Sequence, residues 1–250
     1  MPRVIAAIDT SPCARSVLET AQSIAPLFDG TAVALHVDEN DADAARELAC
    51  DAGVDVVEVT GSPFEAIVAA ATAPDVAALV IGARGAESGR QPAGHTVLDV
   101  IARVRKPIVV VPPRQAPRGL PARILVPLEG TAESSEAIEH VLALADRANL
   151  EIVVLHVHSP QAVPAFQDQP HHAISAWQEE FATRHVPQHP HTRIIQHVGA
   201  AADSVVQTAG DVGADLIVLS WNQDFDVGRA RVVRETLAQS SIPIVLLPTS

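Results

Sequence analysis

The sequence predicts two tandem α/β domains, each built on a five-stranded, parallel, doubly wound sheet, and three observations lead to this fold class. The chain repeats itself, apolar strand-like runs alternate with helical periodicities, and a proline-rich segment separates the two repeats. Strands that alternate with helices form parallel sheets through right-handed crossovers. We expect the two domains to pack against each other as an internal pseudo-dimer.

The repeat consists of segments that recur in the same order along the chain. Arg-Val-Ile-Ala-Ala-Ile-Asp at 3–9 aligns with Arg-Ile-Leu-Val-Pro-Leu-Glu at 123–129. Ala-Val-Ala-Leu-His-Val at 32–37 aligns with Ile-Val-Val-Leu-His-Val at 152–157. Three further pairs follow, namely 61–68 with 199–206, 79–82 with 217–220, and 106–112 with 242–248. Coincidence explains one such pairing but not a whole series in one order, so the repeat is a duplicated domain.

The predicted domain boundaries follow from the repeat and from the composition of the segment between its copies. Residues 1–113 form the first domain and residues 122–250 the second, while the polar, proline-rich stretch 114–121 is typical of a linker. The predicted strands of the first domain are nearly continuous apolar runs, as strands buried on both faces are. These runs are 3–8, 32–37, 54–59, 76–82 and 107–111.

Between the first two strands of each copy, apolar residues recur at helical spacing. In the first copy they are Val17, Leu18, Ala21, Ile24, Ala25 and Phe28, and in the second Ala137, Ile138, Val141, Leu142, Ala145 and Ala148. The fifth strand of each copy, 108–111 and 244–247, is short, apolar and followed by proline. An exposed apolar edge favours pairing with another strand, so we expect these two strands to join the domains.

Composition excludes several classes of function. The formal net charge is −13, with 16 arginines and a single lysine, which argues against a nucleic-acid-binding surface. No apolar run approaches the roughly 20 residues of a membrane span, and no signal-peptide core is evident. Two cysteines are too few for a disulfide framework. We expect a cytoplasmic protein that associates with neither nucleic acid nor membrane.

Small and polar residues follow two of the predicted strands, where ligands bind in such sheets. The binding crevice of a doubly wound sheet lies beyond the carboxyl ends of its strands, where neighbouring crossovers diverge. Asp9 follows the first strand, Gly82 and Gly85 follow the fourth, and Thr96 stands at the next helix start. Glycines let backbone amides approach phosphate oxygens, and a helix start favours an anion. We expect Asp9 to accept hydrogen bonds from ribose and Arg84 to offset phosphate charge.

These residues resemble the universal stress proteins, a family with a flavodoxin-like, or HUP-like, fold. The resemblance rests on Asp9, Leu-His-Val at 35–37 and the Gly-x-x-Gly loop leading to Thr96-Val97, and it covers nearly all of both repeats. The nucleotide-binding branch of the family carries Gly-x2-Gly-x9-Gly-(Ser/Thr). The resemblance implies that the first domain binds ATP or another adenine nucleotide, with or without Mg²⁺. The implied contacts to base and phosphates are Ala7, Asp9, Val37, Gly82, Arg84, Gly85, His95, Thr96 and Val97.

The motif departs from the family pattern at its last glycine. Nine residues past Gly85 bring that position to His95, with a glycine displaced to position 94. A slip of one residue in the loop restores the backbone amide. Alternatively, the imidazole crowds the phosphates, or meets them as a cation when protonated.

The second copy departs much further and is predicted to hold a degenerate site. Ser220-Trp221-Asn222-Gln223 replaces the glycine loop, Glu129 stands where Asp9 stands, and Val232 stands where Thr96 stands. A cluster of arginines nearby either holds another anion or, as charge clusters more often do, lies solvated beside acidic residues. The cluster consists of Arg229, Arg231 and Arg234, with Asp226 and Glu235 close in sequence.

Histidines crowd the second copy without a recognised metal-ligand spacing. They are His158, His171, His172, His185, His189, His191 and His197, and five of these lie in an insertion that the first copy lacks. A zinc site needs three or four convergent ligands. We expect a polar surface loop and no metal site, with zinc binding as the alternative.

Single residues near the predicted crevice admit structural as well as functional roles. His36 and His156 hold equivalent positions at strand ends and are expected to be structural, because the repeat keeps them where the glycine loop is lost. Cys13 is expected to be a packed thiol, with a redox sensor of lowered pKa as the alternative. Trp177 and Trp221 are expected in the core or rim of the second domain.

The pattern favours a stress-response module that binds ATP in its first domain and signals to an unidentified protein partner. The alternatives are a nucleotide-independent interaction protein and a slow ATPase or nucleotidyl transferase. The sequence shows no nucleophile–base arrangement, Walker lysine or dinucleotide fingerprint, so no catalytic residue is predicted. The sequence leaves open whether the pseudo-dimer pairs again as a homodimer.

Overall fold

The computed structural model describes most of both repeats. The described residues are 1–37, 42–83, 95–113, 119–128, 141–143, 148–158, 191–223 and 228–249, with the backbone alone described at 95, 228 and 229. Arg84, Gly85, Trp177 and most of the histidine-rich insertion lie outside these ranges.

The first half of the chain, residues 1–113, alternates strands and helices as the sequence predicts. Its strands are β1 (Arg3–Ile8), β2 (Thr31–Val37), β3 (Asp55–Val59), β4 (Val76–Gly82) and β5 (Ile108–Val111). Its helices are α1 (Ala14–Ile24), extended by a 3-10 turn (Ala25–Phe28), α2 (Ala42–Ala52), α3 (Pro63–Thr72) and α4 (His95–Arg103). Helix α3 begins with a proline, whose missing N–H costs nothing in a first turn.

The second half, residues 122–250, repeats this order. Its described strands are β6 (Arg123–Pro127), β7 (Glu151–His158), β8 (Thr192–Val198), β9 (Leu216–Trp221) and β10 (Ile244–Pro248). Its helices include α5 (Ala201–Val212) and α6 (Gly228–Gln239), and residues 141–143 are helical where the repeat predicts a helix. None of the described helices is long and apolar enough to cross a membrane.

All ten strands form one sheet, and the two fifth strands join its halves. The order is β3-β2-β1-β4-β5-β10-β9-β6-β7-β8. Pairing is parallel within each half, whereas β5 and β10 pair antiparallel, with Val109 opposite Val245 at the centre. The predicted parallel, doubly wound halves and the predicted pseudo-dimer are therefore confirmed. Because the junction is antiparallel, the carboxyl ends of the strands in the two halves point to opposite edges of the sheet.

Two apolar layers cover the sheet, and each layer runs across the junction. One contains side chains of α1 and of the second-half helix at 141–143, together with Val109 and Val245. The other contains side chains of α4 and α6, together with Ile108 and Ile244. Alternate side chains of a strand point to opposite faces, so each of these strands contributes to both layers. The two halves thus share one three-layer core.

The burial predicted for the third strand is wrong. That strand was expected to be buried on both faces, yet β3 is largely exposed, and the Val57 side chain is 41% accessible. The reason is its place in the sheet: β3 is an edge strand that pairs only with β2, and β8 holds the opposite edge. Apolar composition alone does not separate an edge strand from a central one.

Two glycines should respond in opposite directions to the same substitution. A Cβ at Gly30 would lie 2.7 Å from the Pro2 carbonyl oxygen, which accepts a hydrogen bond from Thr31 at 3.0 Å. Gly30→Ala should therefore lower the free energy of unfolding by about 1–3 kcal/mol. Gly210, within α5, has open space around the same position. Gly210→Ala should raise the free energy of unfolding by roughly 0.4–1 kcal/mol, because alanine favours the helical conformation more than glycine does.

Urea unfolding of the two variants and of the unmodified protein measures both changes. Equal effects of the two substitutions, or a Gly30→Ala protein as stable as its parent, would contradict the packing described around Pro2.

Candidate functional site

A crevice opens where β1 and β4 end, at the edge predicted from the sequence. Strand β1 lies between β2 and β4, and the chain crosses from β1 to β2 on one face and from β3 to β4 on the other. This divergence leaves a cavity of about 340 Å³. Its walls come from β1, β2, β4 and the starts of α1, α3 and α4. The volume lies within the usual range for small-molecule sites.

The structure brings six of the nine predicted site residues to this crevice. They are Ala7, Asp9, Val37, Gly82, Thr96 and Val97. His95 begins helix α4 beside them, and its side chain is outside the described part. Arg84 and Gly85 also lie outside the described residues, so their predicted roles stay predictions. The side of the crevice formed by α3 was not predicted: Pro63 and Ile67 line it, and the only sequence signal was the helical spacing after Ser62.

The crevice has an apolar interior and a polar mouth. Leu35, Val37, Ile81 and Val100 are among its apolar lining residues. The polar groups are Asp9, Ser11 and Thr96, whose side chains lie at the strand ends and at the helix start. A few polar groups around an apolar wall are typical of sites that orient a ring-shaped ligand.

Asp9 is held in a fixed orientation by the turn that follows β1. Its Oδ1 accepts a hydrogen bond from the Ser11 amide at 3.0 Å and another from the Ser11 hydroxyl at 2.5 Å. An aspartate that accepts from the backbone two residues on is a common turn arrangement. Among the lining side chains that the structure describes, Asp9 carries the only charge. The crevice mouth is therefore acidic in its described part.

The amino-terminal end of α4 faces the same mouth. Thr96 and Val97 line the crevice one turn before Val100, and the first amides of an α-helix have no partner within the helix. These amides and the helix dipole favour an anion near the helix start. Carboxylate at one side and helix amides at the other give the mouth both acceptors and donors.

The second half contains an equivalent but much smaller crevice. It is lined at matching positions by Pro127, Leu128, Leu155, Val157, Ala201, Val205, Leu219, Ser220, Val232 and Val233, and its volume is about 80 Å³. Pro127 replaces Ala7 and Ser220 replaces Gly82, so larger side chains occupy the space. This volume is well below that of sites that hold a small organic ligand.

A family model for the universal stress protein family matches residues 38–112 and again residues 122–248. The chain belongs to the universal stress protein family. The two matches fall inside the two predicted domains and show the tandem arrangement, while the linker boundaries at 113 and 122 stay a prediction. No curated protein sequence matches the chain.

Full-length similarity to solved structures supports the same fold for this universal stress protein. A universal stress protein from Archaeoglobus fulgidus is 16% identical, with 99% of this chain and 96% of that chain covered and a TM-score of 0.67. A functionally unknown protein from Pseudomonas aeruginosa is 14% identical, with 100% and 93% covered and a TM-score of 0.71. At these identities the similarity establishes the fold and its duplication.

The equivalent histidines of the two halves make equivalent hydrogen bonds. His36 Nδ1 donates to the Ile8 carbonyl at 3.2 Å, and His156 Nδ1 donates to the Leu128 carbonyl at 2.9 Å. Each bond ties the end of one strand to the end of its neighbour, next to a crevice. The predicted structural role of this histidine in both repeats matches this geometry.

Two arginines of the cluster near the small second crevice, Arg231 and Arg234, are exposed to solvent. Arg231 is 76% exposed and pairs with Glu235 at 3.3 Å one turn along α6, and Arg234 is also exposed. The Arg229 side chain lies outside the described part. These observations agree with the solvated interpretation of the cluster. Among the described residues, no group of three or more potential ligands converges on a metal position.

Cys13 has the properties of a packed thiol. It precedes α1 and lines the crevice, and its side chain is buried. Burial raises the pKa of the Cys13 thiol, the negative charge of Asp9 raises this pKa further, and a hydrogen bond with Ser11 acts in the opposite direction. The alternative prediction, that Cys13 is a redox sensor with a lowered pKa, is therefore wrong.

The reactivity of Cys13 tests this environment. In a Cys50→Ser protein, the midpoint of the pH profile for iodoacetamide labelling of Cys13 should lie above that of a free thiol, because the thiolate is the reacting form. Asp9→Asn should move the midpoint to lower pH, since the substitution removes a negative charge. Asp55→Asn, at the start of edge strand β3, is the matched control. A midpoint below that of a free thiol in the parent, or one that Asp9→Asn leaves unchanged, would contradict the raised pKa of Cys13.

Proposed function

We propose that this universal stress protein binds an adenine nucleotide, ATP in particular, in the crevice of its first half and acts as a cytoplasmic stress-response module. The observation that carries the proposal is the 340 Å³ crevice, which opens at the strand ends where the sequence carries the family's glycine loop. Members of the family bind adenine nucleotides. The binding would regulate an unidentified protein partner.

The apolar wall and Asp9 suit a nucleoside. Ala7 and Val37 offer flat apolar contact to an adenine ring, and the burial of such a ring is favourable. The Asp9 carboxylate, which Ser11 orients, can accept hydrogen bonds from ribose hydroxyls at the crevice mouth. This assignment uses only contacts that an uncharged nucleoside also makes.

The start of α4 suits the phosphates. Thr96 presents a hydroxyl group and the adjacent helix amides to the mouth, where phosphate oxygens would accept from both. The glycine loop and Arg84 would add further donors next to Gly82, as the motif in the sequence predicts. Mg²⁺, if it accompanies ATP, would offset the charge of Asp9 beside the phosphates.

A second candidate function is a nucleotide-independent interaction protein. It is favoured by the charge of the crevice, because Asp9 is the only charged lining group described and its sign repels phosphate. The replacement of the last motif glycine by His95 favours it as well. Hydrolysis has weaker support than either, since the sequence offers no general base.

Calorimetric titration with ATP tests the proposal. The unmodified protein should bind one ATP per chain, because the second crevice is too small. Thr96→Ala should weaken binding about three- to tenfold, the usual effect of losing one hydrogen bond. Ala7→Leu should abolish it, because the added atoms occupy the site of the base.

Val232→Ala is the matched control, since Val232 holds the position of Thr96 in the second half. ATP affinity should be unchanged there. No binding by the unmodified protein would favour the interaction protein, and two ATP molecules per chain would contradict the assignment of a degenerate second half.

A further inference from the structure

In the second half, the segment 220–223, which replaces the glycine loop, contacts a helix of the first half. Trp221 closes β9 and is buried, and its Nε1 donates to the Ile101 carbonyl of α4 at 3.3 Å. Two residues on, Gln223 Nε2 donates to the Val104 carbonyl, just beyond α4, at 2.5 Å. Both contacts join the two halves through a helix end.

These two carbonyls need partners from outside their own helix. The last four carbonyls of an α-helix have no N–H donor within the helix, and a buried carbonyl without a hydrogen bond lowers the stability of the fold. The Val104 amide still bonds to the Val100 carbonyl at 2.9 Å, so the helical pattern ends there. Trp221 and Gln223 therefore complete the carboxyl-terminal end of α4.

The antiparallel junction explains how the second-half loop reaches this helix. Helix α4 starts at the carboxyl ends of the first-half strands and ends near the start of β5. Because β5 and β10 run in opposite directions, that edge of the sheet is also where the second-half strands have their carboxyl ends. Trp221, at the end of β9, is thus placed at the far end of α4.

The equivalent position in the second half makes a different set of hydrogen bonds. Ser240 holds the position of Val104, and its hydroxyl donates to the Ile242 carbonyl at 2.7 Å and accepts from the Ile242 amide at 3.0 Å. Both of these hydrogen bonds lie within the second half. Ala83, which holds the position of Trp221, has no side-chain donor. Trp221 therefore supplies α4 with a side-chain donor that the alanine at the equivalent position of the first half cannot supply.

The backbone of Gln223 indicates that its side-chain contact matters. Gln223 has φ of +64°, a left-handed conformation that is unfavourable for a residue with a Cβ. The residue at the same position in the first-half sequence is Gly85, and glycine is the residue type that adopts positive φ without steric cost. The hydrogen bond from the Gln223 side chain to the Val104 carbonyl offsets the conformational cost of a glutamine with positive φ.

We propose that Trp221 and Gln223 are positioning residues for the nucleotide site, which hold α4 so that its opposite end meets the phosphates. Helix α4 has nine residues, and it spans about 14 Å from the crevice mouth to these contacts. Thr96, Val97 and Val100 line the crevice on the same short helix. A displacement of its far end therefore moves the amides at its start.

This inference rests on the proposed function and makes a separate prediction about ligand type. The proposed base and ribose contacts, Ala7, Val37 and Asp9, belong to β1, β2 and the turn after β1, whereas the proposed phosphate contacts lie at the start of α4. Loss of the Trp221 or Gln223 contact should weaken binding of ATP and leave binding of adenosine unchanged. A general loss of protein stability would instead weaken the binding of ATP and of adenosine to the same extent.

The test titrates ATP and adenosine into four variants. Trp221→Phe and Gln223→Glu remove a donor, and the glutamate also places a negative charge at a helix carboxyl end. Both substitutions should weaken ATP binding about three- to tenfold, while the affinity for adenosine should stay within about twofold of that of the parent. Gln223→Lys, which keeps a donor, should restore ATP affinity. Trp177→Phe is the matched control for loss of a tryptophan.

Two outcomes separate the proposals. If the unmodified protein binds neither ligand, the nucleotide function fails and this inference fails with it. If it binds both, and the variants weaken both equally or neither, the positioning role is overturned while the nucleotide function stands. Hydrogen exchange at the Val100 and Ile101 amides, which bond within α4, should be faster in Gln223→Glu when measured without ligand. Equal exchange would also overturn the positioning role.

Discussion

The antiparallel pairing of β5 with β10 is the constraint on which the rest of the structure depends. It converts two five-stranded sheets into one of ten strands and lets both apolar layers continue from one half into the other. It also sends the carboxyl ends of the two sets of strands to opposite edges. The two crevices therefore lie at opposite edges of the sheet.

Duplication gave the two halves the same plan, and their side chains then diverged. The first half keeps small residues where strands end, namely Ala7 and Gly82, and keeps an open crevice. The second half carries Pro127 and Ser220 at those positions, and its loop residue Trp221 is buried against α4. The second half thus carries larger side chains at its crevice and, next to Ser220, an indole that contacts a helix of the first half. The pseudo-dimer is symmetric in its backbone and asymmetric in what it can bind.

The sequence predicted the strands, their parallel order and the junction strands, because apolar runs and the repeat report directly on buried sheet. It did not predict the exposure of β3, since edge and central strands share an apolar composition. It placed Trp221 in the core or rim of the second domain and did not indicate that the indole donates to Ile101 of the first half. The partner of a side chain across a junction depends on how the halves pack, which no local pattern records. His36 and His156 were predictable because the repeat gave each residue an internal comparison.

The central claim is that the first half alone holds an open nucleotide crevice. Crystals grown with ATP and Mg²⁺ test it most directly, through the electron density at the two crevices. We expect electron density for adenine against Ala7 and Val37, with phosphates at the start of α4, and no ligand density between Pro127 and Val232. Density in the second crevice with an empty first one would contradict it.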